Sequence, residues 1–346
     1  MDFTIQLPAM ASNKGQVDAV VGILEEKVTP PNRKGIQLLV FLKEYALDWK
    51  GVSKAISENL KGVPGEYVNT LHAPISPTKP NELVDLRERA SLRTVLDMAE
   101  FAGDHGIGNI TLHSNAVTMM SDWDEKYSLE SRRSEDRKKI LDNLARVATV
   151  YPYIHFGLEN LPLPIMGDAI LEPSRSPFEF FMTESLDIVE FARELGELGR
   201  NLGLCLDVDH YEIYKAKAES LLSKYGLDFG ASDMDKEGLR GLSLPLGFPE
   251  SLGELVRKIR LAEGNIFDCQ IGGYDGSLWL PGKQTFREGQ VLSDENMGEE
   301  IVRGTRGVIG QFPGCNVSID VNVDEYIKRP EQRASLDYFL AKVDDL

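Results

Sequence analysis

Short apolar runs alternate with helical spacing eight times along this chain, and that alternation restricts the architecture more than any other feature. The runs are Phe3–Leu7, Ile36–Phe41, Tyr67–Leu71, Asn109–Leu112, Tyr153–Leu158, Leu202–Leu206, Ile266–Gln270 and Val317–Val321. Helical spacing follows in Val17, Val20, Val21 and Leu24 behind a Ser12 or Asn13 cap, in Trp49, Val52, Ile56 and Leu60, and in Leu92, Val95, Leu96 and Ala99 before the stop signals Gly103 and Gly106. A long charged segment ending near Val150 and another bearing Leu186, Val189 and Leu195 repeat the pattern. Strand–helix alternation implies a parallel sheet, and eight units within 346 residues predict closure into a single (β/α)8 barrel over residues 1–346. A doubly wound open sheet is the alternative, but no Gly-rich phosphate loop follows the first strand. The stretches 211–250 and 271–295 exceed a minimal unit and predict extended loops after the sixth and seventh strands.

A barrel carries its chemistry at the C-terminal ends of its strands, and five of these runs end in ionisable side chains. They are His72 in TLHAP, His113 in ITLHSN, Glu159 in FGLENLP, Asp207 with His210 in LCLDVDH, and Asp320 in VSIDVN; Gln270 adds an amide at the seventh. Glu159, Asp207 and Asp320 repel one another unless a cation or protons intervene, and oxygen-rich sets with a nearby imidazole suit Mg, Mn, Co or Zn. Any one acid could instead be an ordinary strand-end carboxylate bonded to backbone, and any one histidine a satisfied structural side chain. His155 is expected to pack deeper in the barrel, His105 to lie solvated at its opposite end, and Trp279 to offer a stacking face near the mouth.

Composition removes several classes of function. A formal charge of −17 opposes a phosphate backbone, so nucleic acid is not the expected partner. The charged run at 130–139 reads as a solvated helix face. Cys205, Cys269 and Cys315 all fall in or beside apolar runs without metal-type spacing, which predicts reduced core thiols and a cytoplasmic compartment. No basic leader precedes the first apolar residues, and no apolar run reaches the roughly 18 residues of a membrane span. Ser114 beside His113 lacks the order and glycine spacing of a serine hydrolase.

HAP at 72–74, LHSN at 112–115, LEN at 158–160, LDVDH at 206–210, DGSLWLPG at 275–282, SID at 318–320 and PEQRASLDYFL at 330–340 together resemble the xylose-isomerase-like barrels. That group includes sugar-phosphate isomerases, ketose 3-epimerases and endonuclease IV, and the pieces occur in the family order over nearly the whole chain. The resemblance implies one divalent metal held by Glu, Asp, His and Glu from the last four strands. Glu159 and Asp207 match; Gln270 stands where the family has His, and Asp320 where it has Glu.

The implied chemistry is isomerisation or epimerisation of a sugar or sugar phosphate through a metal-stabilised enediolate. Glu159 and Asp320 would move the proton, Asp207 would hold the metal, and His210 would hold a substrate oxygen, with His72, His113 and Trp279 as a substrate wall. Barrels of this family pair through their mouth loops, so the resemblance also implies a homodimer. Endonuclease IV uses histidines at the positions of His72 and His113, but completes a three-zinc cluster with later histidines; no His follows His210 here. A barrel that binds a sugar or a protein partner without catalysis is the third reading, prompted by Gln270 and Asp320.

Overall fold

Eight strands close into a parallel barrel in a computed structural model that describes residues 3–75, 84, 86–87, 89–113, 118–119, 130–160, 177–178, 185–225, 250–274 and 289–344. They are β1 (Thr4–Met10), β2 (Arg33–Phe41), β3 (Thr70–Ile75), β4 (Asn109–Leu112), β5 (His155–Glu159), β6 (Leu202–Asp207), β7 (Ile266–Ile271) and β8 (Asn316–Ile319). Each pairs with its sequence neighbour, and β1 closes the ring on β8 with Gln6 opposite Ser318. The open-sheet alternative is thereby excluded.

Nine described α-helices accompany the strands: α1 (Lys14–Lys27), α2 (Leu42–Leu60), α3 (Leu92–Asp104), α4 (Glu130–Val150), α5 (Ser185–Leu198), α6 (Val208–Tyr225), α7 (Leu252–Leu261), α8 (Gly298–Gln311) and α9 (Pro330–Val343). Asn13 caps α1 as its position suggested, accepting the Gln16 N–H at 3.1 Å. Its buried stripe is Val17, Val20, Ile23 and Leu24, while Val21 sits at the edge of the core. Gly106 adopts φ +67 just past α3, a conformation open to glycine at little cost. No described helix is long and apolar enough to cross a membrane.

Period-two alternation sorts each strand into two faces. Ile5, Leu7, Ile36, Leu38, Leu71, Ile110, Phe156, Leu158, Leu204, Leu206, Ile271, Val317 and Ile319 join the buried apolar cluster that the helices cover. The alternate residues bond across the barrel interior between strands that are not neighbours: Thr70 Oγ1 donates to Gln6 Oε1 (2.9 Å), Ser318 Oγ to Gln37 Oε1 (3.0 Å), and Asn109 Nδ2 to Asp268 Oδ1 (3.1 Å). The interior is therefore polar, where barrels commonly stack branched apolar layers. Cys205, Cys269 and Cys315 are buried and free, as their apolar settings indicated.

Several boundaries move. β3 begins at Thr70 rather than Tyr67, because the chain turns at Pro64, whose carbonyl accepts the Tyr67 N–H, and the Tyr67 hydroxyl is drawn to Glu25. His72 consequently lies within β3 instead of following its end. β1 runs on to Met10, β5 spans His155–Glu159, and β8 stops at Ile319, one residue before Asp320. The stretch from 211 opens as helix, since α6 starts immediately after Asp207 and carries His210 in its first turn. His155 does not pack deep in the barrel. It begins β5 with its ring exposed, stacked on Phe267 at 4.3 Å and bonded to Asn109, and desolvation there lowers its pKa. His105 sits just past α3 as expected, but its ring is engaged, stacked on Phe101 and bonded to Ser57 at 2.8 Å.

Candidate metal centre

Glu159 ends β5 and is 3% exposed, so its carboxylate is held by strand geometry and shielded from water. Two sets of ligand atoms meet on it, each within 4.8 Å of one another: His72 and His113 on one side, Asp207 and His210 on the other. His72 Nε2 lies 3.0 Å and His113 Nε2 3.6 Å from Glu159 Oε2. His210 Nδ1 lies 3.8 Å from Glu159 Oε1 and 3.4 Å from Asp207 Oδ2. Ligands at about 2.1 Å from a tetrahedral ion stand about 3.4 Å apart, so the separations of the His72 and His113 Nε2 atoms from Glu159 suit the edges of a coordination shell.

The ring tautomers sharpen that fit. His72 Nδ1 is 3.0 Å from the Ala73 carbonyl and His210 Nδ1 is 2.9 Å from the Asn160 carbonyl. A carbonyl only accepts, so each Nδ1 carries the hydrogen. For neutral His72 this leaves a lone pair on Nε2 facing the Glu159 carboxylate, an arrangement that requires either a second proton on the ring or a cation between the two. A backbone carbonyl fixing the far nitrogen is also how proteins orient metal-binding imidazoles. On His210 the same bond leaves Nε2 as the nitrogen without the hydrogen.

Asn160 and Asp209 hold this arrangement, and the sequence reading assigned neither a role. Asn160 Nδ2 donates to the Asp207 carbonyl (2.8 Å) while the Asp207 N–H donates to Asn160 Oδ1 (2.7 Å), so one side chain continues the β5–β6 ladder past Glu159. The His210 N–H then donates to Asp207 Oδ1 at 2.9 Å. Asp209 accepts the Gly272 N–H at 2.9 Å. A Cβ at Gly272 would stand 2.6 Å from the Asp320 carbonyl oxygen, so the close approach of β7 to the residue after β8 requires glycine. The local signal for Asn160 was its place directly after a strand-end acid; Asp209 showed only as the second acid of an Asp-x-Asp.

The carboxylates titrate apart. Burial works against ionisation of Glu159, but the imidazoles of His113, His72 and His210 outweigh it and bring its pKa to about 2. Burial and neighbouring Asp209 push Asp207 well up, with His210 opposing. Asp320 rises to about 6, through burial first and then Glu159. Four acids and three imidazoles in one mouth form a donor set that a divalent cation would satisfy, and the residues fit such an ion.

Of the residues expected at the site, His72, His113, Glu159, Asp207 and His210 come together. Asp320 belongs to neither triad, though its charge couples to Glu159, His72 and His210. Its N–H donates to the Ile271 carbonyl at 2.8 Å, which sets it beside the end of β7. Gln270 lies in register with Asp207, is 1% exposed, and has no hydrogen-bond partner for Nε2 among the described residues. Trp279 and the 275–282 stretch lie outside the described residues.

No known family profile matches the chain, and no curated protein does. Solved structures do match. A D-tagatose 3-epimerase-like protein aligns over 100% of this chain and 99% of its own at 15% identity and TM-score 0.55. Endonuclease IV from Thermus thermophilus aligns over 99% of both chains at 13% identity and TM-score 0.50. A xylose isomerase-like TIM barrel protein from Mycobacterium smegmatis, solved in complex with magnesium, covers 96% of this chain and 89% of its own at 11% identity and TM-score 0.52. The fold is that of the xylose-isomerase-like barrels, as the ordered motifs implied.

Proposed function

We propose that this barrel is a divalent-metal-dependent isomerase or epimerase of a small sugar or sugar phosphate, with the metal centred on Glu159. The observation that carries the reading is His72, whose Nδ1 is committed to a backbone carbonyl while Nε2 faces a buried carboxylate 3.0 Å away. A divalent ion bound there supplies Lewis-acid polarisation of a carbonyl and compensates the negative charge that develops when the neighbouring carbon loses a proton. His72 and His113 would hold that ion together with Glu159.

Glu159 is ionised throughout the neutral range and accepts the proton from the substrate carbon. Asp320, with its pKa raised to about 6, is the group suited to return one near neutral pH. Carboxylates pushed apart in pKa within one mouth are the electrostatic signature of such a pair. His210, in the first turn of α6 beside Glu159 and Asp207, would hold a substrate oxygen. The polar rim of Asn160 and Asp209 fixes these groups and spares the reacting centre from reorganising.

A second reading rests on the overlap of the two triads at Glu159, because a carboxylate shared between two ligand sets is the geometry of a two-metal hydrolase. That chemistry suits a phosphodiester. The net charge of −17 opposes a nucleic-acid duplex and ranks this reading below the first.

Protein stripped with chelator and reloaded with Mn²⁺ is to be incubated in D2O with a panel of ketoses, aldoses and their phosphates. Metal-dependent deuterium incorporation beside a carbonyl, absent from Glu159→Gln, is the expected result. No exchange on any member, with hydrolysis of bis(p-nitrophenyl) phosphate instead, would move the assignment to the second reading.

A further inference from the structure

A cavity of about 190 Å³ adjoins the site, walled by Pro8, Gln16, Asp320, Tyr326, Arg329 and Gln332. Three features of its wall point to an anion. The first is Arg329, only 2% exposed, which donates from Nε to the Tyr326 carbonyl (2.9 Å), from Nη1 to the Pro8 carbonyl (2.6 Å) and Gln332 Oε1 (2.5 Å), and from Nη2 to Gln16 Oε1 (3.0 Å). Every one of these acceptors is neutral, and no carboxylate pairs with the guanidinium among the described residues. Removing a cation from water without a counter-charge is unfavourable, and burial accordingly pushes the Arg329 pKa down to about 10.

The second feature is Gln332, 1% exposed. Arginine has only N–H groups to offer, so the amide must turn its oxygen to Arg329. Its Nε2 is left as a buried donor without a partner among the described residues. The third is α9 itself. Its N-terminus begins at Arg329 and Pro330 with no side-chain cap, so the positive end of a 14-residue helix meets the same wall.

We infer that this cavity is a phosphoryl subsite, formed by Arg329, Gln332 and the N-terminus of α9, and that the substrate is a sugar phosphate whose phosphate sits here while its carbonyl end reaches Asp320 and Glu159. A guanidinium, an amide and a helix end gathered at the start of α9 match a tetrahedral dianion better than a planar carboxylate. The segment after the eighth strand, leading to a helix N-terminus, is also where barrels often bind phosphate. Asp320 belongs to both the cavity wall and the acid–base pair, so the two halves of one substrate would meet at it. The sugar part of this inference rests on the isomerase reading above; the anion part does not.

The test uses inorganic phosphate on the purified protein without added metal, read by thermal melting and calorimetry, with acetate and chloride at matched ionic strength as comparison arms. Phosphate at about tenfold its dissociation constant should raise the Tm by about 2–3 °C, acetate and chloride much less. Arg329→Met cuts the ties to Pro8 and Gln16 and endangers the fold, so the decisive variant is Gln332→Glu, which supplies a counter-ion in place. Gln332→Glu should melt higher than the wild type without phosphate and lose the phosphate shift. No phosphate shift in the wild type, an equal shift with acetate, or a phosphate shift unchanged in Gln332→Glu would overturn the proposal. Because no turnover is read, phosphate binding without deuterium exchange would sink only the isomerase reading, and exchange without phosphate binding only this one.

Discussion

Asp320 and Glu159 share a mouth yet titrate in opposite directions, and the cause is the company each keeps. Three imidazoles surround the Glu159 carboxylate, whereas Asp320 meets burial first and the Glu159 charge second. A strand-end acid is visible in sequence as a residue type, but its pKa is set by side chains from other strands, so this difference could not be read from the chain. Its consequence is measurable. The folded pKa of Asp320, about 6, exceeds its ordinary value of 3.8, so the folded state favours the protonated form. The stability this contributes is fully present below about pH 4 and is lost as pH rises through 6, amounting to about 3 kcal/mol for a two-unit shift. Metal-free Asp320→Asn should therefore match the wild type near pH 4 and exceed it by about 2–3 kcal/mol at pH 8 in urea unfolding. A variant less stable than the wild type at pH 8 would show that Asp320 is not held against its charge.

At the scale of elements, the strands were legible because their outward faces are apolar and their inward faces polar, a period-two signal that needs no long-range information. The exact ends were not. The Pro64 turn delays β3 to Thr70, and α6 begins at once after Asp207, so His72 sits inside a strand and His210 on a helix. The clamp between β5 and β6 was also hidden, because Asn160 acts on Asp207, a residue 47 positions away. Asn160→Ala would leave the N–H and the carbonyl of Asp207 unmatched in a buried setting, at about 1–3 kcal/mol each. Unfolding should register a loss of about 3 kcal/mol. A merely structural role would stop there, but a positioning role predicts in addition that Mn²⁺ affinity, measured by calorimetry on folded protein, falls about 10–100-fold. Lost stability with unchanged affinity would mean that Asp207 does not depend on this clamp to meet a metal.

For the whole molecule, two kinds of cation effect coincide and have to be separated. The chain carries −17 overall, so its compact state repels itself, and added salt should stabilise it by screening. The Glu159 centre predicts a different effect, saturable and specific to divalent ions. Ionic strength distinguishes them: about 1 mM MnCl2 contributes only about 3 mM, where the screening length stays above roughly 30 Å, while about 0.3 M NaCl shortens it to several ångströms. If Mn²⁺ binds the folded protein with a dissociation constant near 10 µM, 1 mM stabilises by about 2.7 kcal/mol, a rise of about 4 °C in Tm. Glu159→Gln removes the carboxylate common to both ligand sets, so it should abolish the Mn²⁺ shift and leave the NaCl shift intact. Because Glu159 lies 3.0 Å from His72, the variant keeps a hydrogen-bonding amide there and preserves the packing on which the comparison depends. A Mn²⁺ shift that survives in Glu159→Gln would place the ion elsewhere on the acidic surface and remove the metal centre from this mouth. A shift lost in Glu159→Gln but retained in Asp320→Asn would assign the ion to the two triads and reserve Asp320 for the proton.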